Sequence, residues 1–200
     1  MEAMAETYIP FLNVMRELKD KRINTAITIN ITPILAEQLA DEYMKERFSE
    51  YMDDLIKRAR KDISRFEGQP KRKRIAEFHL ERLERVFDPF YHNYYRDLLG
   101  TFKWLEEEGM IELITCAATH SFLPLLESDS AIFSQIQTAV DTHKKYFNRY
   151  PKGIWLPECA YRPKEQRNGK IRESIDYWLH NSGLEYFFVD THGILNAEIL

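Results

Sequence analysis

Four short runs of mostly apolar residues, each separated from the next by a long helical pattern, limit what this chain can fold into. They are Asn24–Ile31 (NTAITINI), Ile111–Thr119 (IELITCAAT), Lys152–Pro157 (KGIWLP) and Tyr186–Val189 (YFFV). Runs of this kind, without strict polar alternation, mark strands covered on both faces. Strands that alternate with helices predict an α/β protein with a parallel sheet, either open or closed into a barrel.

The intervening segments carry helix signals. Thr32 and Pro33 form a cap and a first helical position. Ile34, Leu35, Leu39, Tyr43 and Met44 follow at helical spacing and predict a helix running to Phe66, broken by Gly68 and Pro70. A second helix is predicted over Lys71–Glu107, interrupted near Asp88 and Pro89 and stopped by Gly109. Ser128 caps a third helix reaching Tyr150, and Lys170–Ser182 forms a fourth, closed by Gly183.

Two hundred residues suffice for one domain or part of one, and nothing in the length requires a second. With 44% hydrophobic and 30% charged residues the chain is too apolar to be disordered. A net charge of −4 supplies no field that would gather nucleic acid or an anionic membrane, so neither is expected as a partner. No apolar run approaches the ~20 residues needed to cross a bilayer. The first twenty residues carry Glu2, Glu6, Arg16, Glu17, Lys19 and Asp20, which argues against a signal peptide. Cys116 and Cys159 sit in apolar surroundings suited to reduced thiols, and the expected compartment is the cytoplasm.

Two surface-like features read as structural. The run Lys71–Arg74 (KRKR) opens a long charged helix and reads as a solvated face. The cluster FDPFYHNYY, from Phe87 to Tyr95, reads as aromatic packing at a helix bend around Pro89 rather than as a sugar platform.

In parallel α/β folds ligands gather at the carboxyl ends of the strands, where helix amino termini and loops converge. Three of the runs deliver an ionisable group there: His120 after the second, Glu158 after the third, and Asp190, with His192 two residues on, after the fourth. Each admits two readings. Glu158, flanked by apolar neighbours, is either catalytic or a helix cap or partner of Arg162. His120 is either a satisfied structural histidine or a substrate hydrogen-bonder. Asp190 and His192 are either ligands or a turn pair beside Gly193. Glu112, at the opposite end of its strand, is left out of the site.

The segments GMIELITCAATHSFLPLL (Gly109–Leu126), YPKGIWLPECAYRP (Tyr150–Pro163) and FFVDTHGIL (Phe187–Leu195) strongly resemble glycoside hydrolase family 57, and its branching-enzyme-like branch in particular. The resemblance spans essentially the whole chain. The opening ETYIPFLNVMRELK is similar to the helix that follows the family's first strand.

The resemblance implies part of an incomplete seven-stranded β/α barrel, across residues 1–200, that processes α-1,4-glucans (glycogen, amylose or maltooligosaccharides) with retention. It implies Glu158 as catalytic nucleophile and His120 as a donor-site residue. Asp190 or His192 then hydrogen-bonds sugar hydroxyls, while Trp155 packs in the barrel. No cofactor and no metal are implied. A retaining mechanism needs two carboxyl groups about 5 Å apart. The family's His-x-His-type first strand and the segment bearing its acid/base Asp are absent, so no residue here is assigned as the general acid. The expected explanation is a fragment of a longer protein, inactive or nearly so by itself.

Within the family, 4-α-glucanotransferase or α-amylase-type hydrolysis are alternatives to branching. Outside it stand a metal-dependent deacetylase using His120, Glu158, Asp190 and His192, and a non-catalytic glucan-binding remnant. A cysteine hydrolase built on Cys159 and His120 is weaker still.

Overall fold

The structure is a computed structural model and describes residues 1–167 and 169–191. In chain order the elements are α1 (Ile9–Asp20), β1 (Ile27–Asn30), α2 (Pro33–Ala40), α3 (Glu42–Arg65), α4 (Pro70–His92) and α5 (Leu98–Glu107). They continue with β2 (Ile111–Cys116), α6 (Asp129–Phe147), β3 (Gly153–Trp155), β4 (Glu165–Arg167), β5 (Lys170–Arg172), α7 (Ile175–Asn181) and β6 (Tyr186–Phe188). The described residues form two compact units, one from residues 1–25 and 38–110, the other from residues 26–37 and those described from Ile111 to Thr191.

The first unit is helical. Phe48, Met52, Ile56 and Ala59 repeat along one face of α3 at helical spacing, and Ala76, Val86 and Phe90 line the facing side of α4. Phe48 and Phe90, both fully buried, meet edge to face at 4.8 Å. The expected aromatic packing of the Phe87–Tyr95 cluster is therefore observed for its inner members. Arg72 bonds Gln69 at 2.8 Å and Lys73 bonds Glu67 at 2.8 Å, as residues of a solvated face do.

Two helix breaks fall elsewhere than predicted. The helix expected from Pro33 to Phe66 is two, because Asp41 turns extended (ψ 125°) and its carboxylate accepts from the Met44 amide at 2.8 Å, starting α3 afresh. Pro89 does not break α4, which continues to His92; the interruption comes over residues 93–97. Proline lacks the N–H that would bond the Arg85 carbonyl four residues back. The Asn13 side-chain amide of α1 donates to that carbonyl instead, at 3.0 Å, so the loss within the helix is made good from outside it.

The second unit contains a four-stranded sheet in the order β1-β2-β3-β6, every pair parallel. The four predicted runs supply these strands, each shorter than its apolar stretch. The fold class is thus α/β with parallel strands, as expected for part of a barrel, and the sheet is open. Ile154 and Leu156 around β3 pack with Ala117, Leu123, Ile132, Ile136, Val140, Ile175 and Leu179, all buried. Each large aliphatic side chain so buried contributes about 2 kcal/mol.

The fourth predicted helix needs correction. Residues 170–172 pair antiparallel with residues 165–167 as a hairpin whose turn holds Gly169 at φ +73°, and α7 begins only after Ser174 caps it. This segment is tied down by charge. Arg162 and Arg172, each 7% exposed, face the Asp129 carboxylate at 3.7 and 3.6 Å and Glu165 at 3.7 and 3.4 Å.

Candidate active site

The parallel register aligns the carboxyl ends of the strands. Asn30 is the last residue of β1 and Cys116 of β2; Cys116 stands opposite Trp155, which stands opposite Phe188. The residues just past these ends are the candidates.

His120 sits in a turn closed by its own amide, which donates to the Ala117 carbonyl at 2.9 Å. Gln135 of α6 clamps the turn, its backbone carbonyl accepting from the Ala118 amide at 3.0 Å and its side chain from the Thr119 amide at 2.9 Å. His120 itself has φ +56°.

Glu158 occupies the middle of a one-turn 3-10 segment, Pro157–Cys159, closed by Cys159 N–H to the Leu156 carbonyl at 2.8 Å and Ala160 N–H to the Pro157 carbonyl at 3.1 Å. Leu156 and Pro157 are buried and anchor it. Glu158 (φ +55°) and Cys159 (φ +53°) are both left-handed, which costs a residue with a side chain roughly 1 kcal/mol each. The turn thereby throws the Glu158 side chain outward, 71% exposed, to where its Oε1 lies 3.3 Å from His120 Nε2.

Arg162 does not pair with Glu158. Besides Asp129 and Glu165 it donates to the carbonyls of Pro163 (3.2 Å) and Glu173 (2.9 Å), so it fixes the chain after the turn. Tyr161 helps, donating to Asp176 at 2.7 Å and stacking on Phe187 at 5.8 Å. Trp155 packs on Phe188 with ring centres 5.6 Å apart.

Of the remaining candidates, Asp190 lies near the Glu158 turn. Burial first, then the Asp190 and Glu158 carboxylates, push the Cys159 thiol up. His192 lies outside the described residues. Among the described residues no three of His, Cys, Asp and Glu converge as metal ligands do. Also among them, no helix is long and apolar enough to cross a membrane.

Two residues of the site were not singled out by sequence. The sulfur that meets His120 belongs to Cys116, not to Cys159, with Sγ 3.2 Å from Nδ1. The Asn30 side chain eases negative charge on the Cys116 sulfur. Both residues lie within apolar strand runs, where a cysteine reads as core; the turn closed by the His120 amide on the Ala117 carbonyl brings the imidazole back onto the sulfur four residues earlier.

The fold and site together define a parallel α/β protein that gathers a carboxylate and an imidazole at the carboxyl end of its two central strands. The chain belongs to glycosyl hydrolase family 57, whose model matches residues 1–199. It is 43% identical over 195 residues to a 1,4-alpha-glucan branching enzyme of Thermococcus kodakarensis, covering 95% of this chain and 28% of that enzyme. The crystal structure of that branching enzyme in complex with glucose and additives matches with a TM-score of 0.85 over 93% of this chain and 34% of that one, at 41% identity. A family 57-type branching enzyme from Pyrococcus horikoshii matches with a TM-score of 0.88 at 42% identity, over 96% of this chain and 37% of that one. The alpha-amylase AmyC of Thermotoga maritima matches with a TM-score of 0.85 at 33% identity, over 98% of this chain and 36% of that one. The chain thus spans between a quarter and two fifths of the length of these relatives.

Proposed function

We propose that this chain is the nucleophile-bearing part of the catalytic barrel of a retaining α-glucan-processing enzyme that forms α-1,6 branches from α-1,4-glucans such as glycogen or amylose. The observation that carries the reading is the Glu158 turn, which holds a solvent-facing carboxylate in a costly backbone conformation at the strand ends, against His120. Strain retained at such a place is a mark of function.

In the first half of the reaction the Glu158 carboxylate attacks the anomeric carbon, and a carbon–oxygen bond forms as the glycosidic bond breaks. The leaving oxygen takes a proton from a second carboxyl group, assigned to no residue of this chain. In the second half an acceptor 6-hydroxyl gives its proton to that carboxylate and attacks the same carbon, which frees Glu158. Two displacements at one carbon return the original configuration. His120, through the exposed Nε2 that faces Glu158, and Asp190 or His192 hydrogen-bond sugar hydroxyls and hold the distorted ring. The two free cysteines and the neutral glucan substrate suit a reducing cytoplasm.

The test is Glu158→Gln in the intact enzyme, which keeps shape and removes the nucleophile. Glucan transfer falls at least about a thousandfold with the circular dichroism spectrum unchanged. Retained transfer with normal kinetics eliminates the role. The likeness to AmyC favours hydrolysis as a second reading. Linkage analysis of products from amylose separates the two, because only branching creates α-1,6 bonds.

A further inference from the structure

We infer that Cys116 is a positioning residue that donates its thiol proton to Nδ1 of His120, so that neutral His120 carries its own proton on Nε2 and presents it to Glu158. Two contacts carry it, Cys116 to His120 at 3.2 Å and His120 to Glu158 at 3.3 Å, across the ends of two neighbouring strands.

The direction of each bond follows from which groups can give and take protons. An ionised carboxylate only accepts, so the 3.3 Å contact with Glu158 requires the proton on Nε2. Neutral imidazole carries one N–H, so Nδ1 is then a bare lone pair facing the sulfur at 3.2 Å. The sulfur must be the donor there.

Asn30 and the Ala117 amide ease negative charge on the sulfur, so neither competes for the thiol proton. Burial, and more weakly the Glu158 carboxylate, nevertheless hold this thiol up at about 11, so the proton is present at neutral pH. Cys116 is fully buried and reaches no substrate; it acts through His120.

The S–H stretching band falls in an infrared window free of other protein absorption, and this protein has two cysteines. In a Cys159→Ser background the single remaining band belongs to Cys116. It is expected at the lowered frequency and raised intensity of a hydrogen-bonded thiol, and His120→Ala should move it back toward the free position. A band at the free position in the parent, or one indifferent to His120→Ala, overturns the inference. Nitrogen-15 spectra of histidine-labelled protein supply a measurement that needs no variant. His120 should show a protonated Nε2 and a bare Nδ1; the proton on Nδ1 also overturns it.

The catalytic consequence rests on the glucan reading. In the intact enzyme Cys116→Ala should lower kcat about tenfold and Cys116→Ser, which keeps a donor, should restore most of it. Equal losses in the two variants overturn that consequence. The infrared and nitrogen results are independent of whether the enzyme reading survives.

Discussion

Gly153 lies beneath the ring of Tyr186, its registered partner across β3 and β6, so closely that a Cβ there would come within 2.2 Å of the tyrosine Cζ. The parallel strand that leads to Glu158 is thus built on the absence of a side chain. Burial, then the neighbouring Glu112 carboxylate, push the Tyr186 hydroxyl up to about 12. Gly153→Ala should therefore cost about 2 kcal/mol or more, read from the urea midpoint. Combining it with Tyr186→Ala should return part of that loss, and strictly additive losses would show that the ring is not the obstacle.

The Asn13 contact makes a second prediction. Its amide serves the Arg85 carbonyl that Pro89 cannot, and its carbonyl oxygen accepts from the Tyr94 hydroxyl. Asn13→Ala should cost about 1 to 2 kcal/mol. Pro89→Ala restores the helix's own N–H, so the Asn13→Ala penalty should shrink in that background. An unchanged penalty would mean that the Arg85 carbonyl is not the group being served.

His143 gives a pH dependence. It is buried on α6 against Phe147, with ring centres 4.7 Å apart, and neither ring nitrogen has a hydrogen-bond partner among the described residues. Burial first, then Arg149, lower its pKa from 6.5 to about 4. Because the unfolded chain takes up the proton first, this histidine costs no stability above about 6.5. Stability is lost as pH falls from there toward 4, to a limit of about 3 kcal/mol. Denaturant midpoints at pH 7 and pH 5 should differ more in the parent than in His143→Leu. An equal difference in both proteins would refute the assignment.

The two buried arginines predict a fourth outcome. Asp129 faces both guanidinium groups and accepts from the Glu173 amide at 3.1 Å. Asp129→Asn keeps the shape but leaves two enclosed positive charges with Glu165 as their remaining close carboxylate. It should cost about 2 to 3 kcal/mol, more than Asp141→Asn on the exposed side of the same helix. Comparable losses in the two variants would show that the cluster is solvated.

These contacts also explain what the sequence made legible. Four apolar runs were enough for the parallel strands, because covering a strand on both faces leaves a compositional mark. Helix interruptions were harder: Pro89 looks like a breaker until Asn13 replaces the missing bond, while Asp41 breaks a helix that periodicity alone would continue. The 165–172 hairpin is short and charged, so its second strand, 170–172, reads as the start of the helix that follows. At the site, His120 and Glu158 were legible from their place after strand runs and from the family likeness. Asn30 and Cys116 were not, since a polar or sulfur atom at the end of an apolar run reads as core until the turn that follows is seen to fold His120 back onto the sulfur.

The left-handed turn at Glu158 and Cys159 has one more implication. Glycine or asparagine would fit that backbone with less resistance than glutamate and cysteine do. A chain selected in the laboratory for heat tolerance alone would be drawn toward those replacements at residues 158 and 159. Such a lineage would grow sturdier by discarding the carboxylate that the turn holds out to solvent.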